Sequence, residues 1–114
     1  MKLKDQVCSL ELAKKIKELG VPQTGLYFHV QQEGQNPTIV PKLRAKRILS
    51  WHKEIVSAYT VAELGEMLPK VTSMGNTFEY WFCNYDGHVT QANNEADARA
   101  KMLIYLLENN LIQV

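Results

Sequence analysis

The sequence predicts an α+β fold: an antiparallel four-stranded sheet built from two hairpins and packed with three to four helices, in the order α-ββ-(α)-α-ββ-α. Three observations point to it. Apolar residues recur at helical spacing in three capped stretches. Two other stretches alternate apolar and polar residues with period two, and each contains a turn signal. Covering one such sheet with helices is the simplest way to bury these stripes.

The first helix starts at Ser9, a residue type that caps helix N-termini. Leu12, Ala13, Ile16 and Leu19 form one apolar stripe, Gly20 closes the helix, and Pro22 prevents its continuation. Glu11 stands four residues before Lys15, the favourable order for an ion pair. The period then changes. Leu26, Phe28 and Val30 alternate with Tyr27, His29 and Gln31, as in a half-buried strand. Glu33 to Pro37 is turn chemistry, and Thr38-Ile39-Val40 is the return strand, stopped by Pro41.

Residues 41–58 admit two readings. Ala45, Ile48, Leu49, His52, Ile55, Val56 and Tyr59 share one helical face, with Pro41 as the first helical residue. The alternative is a basic, irregular crossover with a short extended piece at Ile55-Val56. The next helix is short. Thr60 and Glu63 form a capping box, Tyr59 and Leu64 occupy the positions of a hydrophobic staple, and Pro69 ends it. Val61, Leu64 and Leu68 are its inner face. Gly75-Asn76 precedes a strongly β-prone run, Thr77 to Tyr85. Asp86-Gly87 is a two-residue hairpin signal, and His88 to Ala92 returns. In that hairpin Tyr85 pairs with His88 and Cys83 with Thr90. The last helix is capped by Asn94, carries the stripe Ala96, Ala100, Leu103, Ile104, Leu107 and Leu111, and ends at Asn109-Asn110. Glu95→Arg99 and Asp97→Lys101 are acid-before-base pairs at four-residue spacing. Each half thus reads helix, two strands, helical material, a repeat of pattern without residue-level similarity.

The 114 residues read as one domain, 1–114, long enough to bury roughly two thirds of the unfolded surface without a metal or disulfide staple. The net charge is +1, but residues 1–59 hold ten Lys/Arg against five Asp/Glu, and residues 60–114 three against seven. That asymmetry makes a dipolar surface, which bears on partners. Met1 to Asp5 does not read as a secretory signal. The longest apolar run, Met102 to Leu107, is six residues, where a membrane span takes about 20. With only Cys8 and Cys83, the expected home is the reducing cytoplasm, with no membrane contact.

Three of these stretches also form a recognisable set: Val7 to Ala13 with Leu19-Gly20-Val21, Ser57 to Pro69, and Glu95 to Leu103 with Leu111-Ile112. Together they resemble small uncharacterised proteins carried by bacteriophages and prophages, those with what is called the phage α/β/α sandwich domain. The resemblance implies a phage-related origin, a bacterial host cytoplasm, a mixed sandwich fold and no particular reaction. The sequence departs from that pattern at residues 41–54, where a basic tract sits.

Candidate chemistry is sparse. His29, His52, His88, Cys8 and Cys83 show no metal-ligand spacing, so no metal is expected. Cys8, at a helix start, is a small packing residue, and Cys83 is a buried strand residue. Glu63 with Glu66, and Glu95 with Asp97, are explained by helix N-terminal charge. No glycine-rich phosphate loop exists, and no catalytic residue or cofactor is expected. Two surface features remain. Lys42, Arg44, Lys46, Arg47 and Lys53, with Trp51 and His52 among them, place five cations in twelve residues with no acid. That tract suits phosphate neutralisation with base stacking on Trp51, or else is a solvated helix face with Trp51 as its anchor. The second hairpin is dense in aromatics: alternation sends Tyr80 and Phe82 to one face, Trp81 and Tyr85 to the other. If helices cover both faces this is all core. If one is open, an aromatic interface remains, with Trp81 and Tyr85 as candidates. The expected function is a non-catalytic interaction or accessory module that binds a protein partner or itself. The alternative is a small nucleic-acid-binding protein using residues 42–53.

Overall fold

The structure, a computed structural model, describes residues 2–31, 36–48 and 54–113. Its helices sit where local chemistry starts and stops them. After a single 3-10 turn at Leu3–Asp5 comes α1, Leu10–Glu18. Gly20 follows at φ +90°, and the chain closes by the Schellman pattern: Val21 N donates to Ile16 O and Gly20 N to Lys17 O. The short helix α3, Val61–Met67, opens on the full capping box, with Glu63 N donating to Thr60 Oγ1 and Thr60 N to Glu63 Oε1. The long helix α4, Glu95–Glu108, is capped by Asn94 and ends as α1 does, with Asn110 at φ +56° and Leu111 N donating to Leu106 O.

Two expected ion pairs are replaced by other contacts. Lys15 reaches across to Glu108 of α4, 3.5 Å away. Asp97 accepts from Ser9 N, while Lys101 donates to the Gln91 carbonyl. Glu95 and Arg99 do pair, at 3.4 Å. In each case a tertiary neighbour outcompetes the helix-surface partner, whose interaction is worth only about 0.2–0.5 kcal/mol.

The fold is α+β, but the single four-stranded sheet is corrected to two three-stranded antiparallel sheets. In the first, β1 (Tyr27–Gln31) is central, flanked by β2 (Thr38–Pro41) and β3 (Glu54–Ser57). Both readings of residues 41–58 are therefore half right. Lys42–Ile48 is a helix, α2, and the extended piece at Ile55-Val56 is a strand against β1. In the second sheet β5 (Trp81–Tyr85) is central between β4 (Ser73–Asn76) and β6 (His88–Ala92). Gly75-Asn76 belongs to β4, and of the expected β run Thr77 to Tyr85 only Trp81–Tyr85 is strand: the reversal falls on residues 77–80, where Thr77 N donates to Tyr80 O. Gly75 is required there because it faces Phe82 across the strands and a Cβ would run into that ring. The Asp86-Gly87 turn has φ +49° and +86°, and the Tyr85–His88 and Cys83–Thr90 pairs form in the expected register.

Why two sheets form is visible on α4. Besides the expected Ala96, Ala100, Leu103 and Ile104, it buries Ala98, Met102 and Leu106. A helix apolar round most of its circumference needs cover on more than one side. Helices α1 and α3 cover one side, and β5 and β6 the other. The layers run α2, first sheet, the α1–α3–α4 group, second sheet. The main core joins α1, α3, α4 and the inner faces of the sheets, and a small second cluster of Phe28, Val30, Val40 and Ala45, with Ile55 against it, lies under α2. Two expected stripe residues fall outside. Leu26, just before β1, is 61% exposed, and Leu111, past the α4 cap, is 51% exposed.

Candidate functional site

The densest gathering of reactive side chains is where α1 and α4 start beside β1. Ser9 has the extended backbone of an N-cap, yet its side chain makes no cap bond. Instead its N–H donates to Asp97 Oδ1 at 2.7 Å, while Asp97 N donates to Asn94 Oδ1 at 2.8 Å, so one carboxylate stitches two helix starts together. His29 points inward from β1, is 6% exposed, and donates from Nε2 to the Cys8 carbonyl at 2.6 Å. Cys8 N donates to Tyr59 O.

A thiol, an imidazole and a carboxylate thus converge in the packed interior. The Cys8 side chain is fully buried, and burial pushes its thiol up to about 12. Burial likewise lowers the His29 pKa, against the opposing pull of the Cys8 carbonyl and Asp97. The imidazole bonds the carbonyl, not the sulfur. A buried, protonated thiol is a poor nucleophile, since the thiolate is the attacking form. Cys83, also fully buried, is pushed up to about 11 by the same cause. Among the described residues no group of three or more His, Cys, Asp or Glu is placed to hold a metal ion.

A concavity of about 860 Å³ opens between residues 5–6, the first turns of α3 and α4, and β5. Its apolar wall is Val61, Ala62 and Trp81, and its charged groups are Asp5, Glu95 and Arg99. The Arg99 guanidinium pairs with Glu95 and lies across Gly65 of α3, where a Cβ would collide with it. Its Nε is buried and finds no acceptor among the described residues. No thiol or imidazole lines the groove. Asp5 and Glu95 set two carboxylates against the one guanidinium, and Glu95 pairs with it, so nothing in the lining favours an anion. The sequence placed Arg99 and Glu95 in a helix-surface pair, and only the tertiary packing puts them in a groove with Trp81.

The basic tract is brought together in part. Lys42 and Arg44 stand exposed on α2, with Leu43 between them 77% exposed. Lys46 and Arg47 lie in the same helix, which contains no acid. Trp51, His52 and Lys53 lie outside the described residues.

On the second hairpin, Trp81 and Tyr85 are half-buried and pack against the main core with Cys83, on the face that α4 covers. Thr90 Oγ1 donates to the Ala98 carbonyl and His88 stacks on Tyr105 at 3.5 Å, fixing the same face inward. The opposite face carries Ser73, Gly75, Phe82, Asn84, Val89 and Gln91, with no helix over it among the described residues. Val89 is 45% exposed.

The geometry defines an α+β protein with two antiparallel sheets around a helical layer, sealed polar junctions and an open outer sheet face. Comparison of the chain with known protein families, curated proteins and solved structures finds no match. Among the described residues no helix is long and apolar enough to cross a membrane.

Proposed function

We propose that this is a non-catalytic interaction protein of the phage type, acting by contact with a protein partner. One observation carries the reading: the sheet face bearing Phe82 and the exposed Val89 has no ionisable strand residue and no helix over it among the described residues, while the thiols and His29 are buried in packing. The phage-type origin rests on the resemblance of the three sequence blocks. The test is amide chemical-shift mapping of the labelled protein as its own concentration rises and as host cytosolic fractions are added. Shifts at Ser73–Asn76 and Trp81–Ala92 support the reading. A spectrum that moves nowhere on the second sheet under either condition refutes it.

A second reading rests on α2. An outermost helix bearing four cations and no acid is a surface for phosphates. It predicts nucleic-acid binding that weakens steeply with salt and is lost in a Lys42→Glu, Arg44→Glu double variant. No mobility shift of labelled DNA or RNA at low salt removes it.

A further inference from the structure

We propose that the partner on the open face of the second sheet is a second copy of this chain, related by a twofold axis. This rests on the interaction reading above and names its occupant.

A twofold contact sets a surface against itself, so any charge on it meets a like charge. The outer face of β4, β5 and β6 carries Ser73, Gly75, Phe82, Asn84, Val89 and Gln91, none of them ionisable, in a chain of 22% charged residues. It is therefore self-complementary in charge. The opposite end of the molecule is not: two copies meeting through α2 would oppose Lys42 and Arg44 to themselves.

Shape agrees. Phe82 sits at the centre, opposite Gly75 on β4 and Gln91 on β6. Because position 75 has no side chain, the ring lies over β4 instead of standing off the sheet. A low, flat face is what lets two sheets approach to the usual spacing of about 10 Å. Val89 faces Asn84, which makes it the diagonal neighbour of Phe82. Under a twofold axis, Phe82 of one copy packs against Val89 of the other, and the reverse.

The contact is small. Three strands about 4.8 Å apart and four to five residues long give a footprint on the order of 250 Å². Stable complexes bury about 800 Å² per partner, so this is a weak dimer, with a Kd on the order of 10⁻⁴ M or above.

Sedimentation equilibrium of the full chain from 10 µM to 2 mM tests it, with Phe82→Glu and Val89→Lys alongside and folding of each checked by circular dichroism. The expected result is a mass rising from 13.0 kDa towards twice that in the parent chain, with the dissociation constant raised at least tenfold in both variants. Val89→Lys, at an exposed position, stands in if Phe82→Glu does not fold. A chain that stays monomeric throughout overturns the second copy. The interaction reading then stands only if a foreign protein shifts the outer-face amides. A dimer indifferent to both substitutions overturns this face as its interface.

Discussion

Acid should destabilise this protein through His29 before its carboxylates titrate. The imidazole is buried in the junction of β1 with α1, and its folded pKa is lowered from 6.5, chiefly by burial. Above pH 6.5 the ring is neutral in both folded and unfolded chains and contributes no pH dependence. As the pH falls below 6.5 the unfolded chain takes up a proton that the folded one refuses. Stability then falls by up to about 1.4 kcal/mol per pH unit until the folded pKa is reached. At roughly 2.1 cal/mol/K of unfolding entropy per residue, one such unit lowers the Tm of a 114-residue chain by roughly 6 °C. The assay is urea unfolding at pH 7.5, 6.5, 5.5 and 5.0, for the parent and for His29→Gln, which keeps a donor for the Cys8 carbonyl but cannot titrate. The parent should lose stability from pH 6.5 to 5.5 while His29→Gln stays nearly flat, leaving every other titrating group in place. Equal slopes in the two proteins would refute a buried neutral His29.

Other substitutions test the packing and the caps by the same unfolding assay. Leu103→Ala, at a fully buried position of α4, should cost about 2–5 kcal/mol by opening a cavity where helices and sheet meet. Gly20→Ala should cost about 1–2 kcal/mol from the left-handed backbone alone, since nothing stands within 4 Å of the added carbon. Thr60→Ala should cost about 1 kcal/mol through the lost cap.

What the sequence made legible was local. The Thr60–Glu63 box, the Asn94 cap, the glycine and asparagine closures and the Asp86-Gly87 turn each depend on a few adjacent residues, and each stands where expected. What depends on distant partners was not. Gly75-Asn76 carries turn residues but is held in a strand by pairing with β5, and the glycine is there to admit the Phe82 ring. The piece at Ile55-Val56 became a strand because β1 had a free edge to offer it. Alternation placed His29 opposite Phe28 and Val30, and both faces of β1 proved buried, one under α2 and one against α1. On the second hairpin the same alternation separated Trp81 from Phe82. Which of those faces lies open was decided by the breadth of the apolar arc on α4, since that helix covers Trp81 and leaves Phe82 outside.

Cys8, Cys83 and His29 are sealed into the architecture of this protein, which leaves contact to its outer surface. Thiol titration of the native chain with an aromatic disulfide reagent at pH 8 tests this most directly. Cys8 and Cys83 should stay unlabelled until denaturant is added, then react as two thiols per chain. Rapid labelling of Cys8 in the folded protein would mean an open, activated thiol beside His29, and would contradict it.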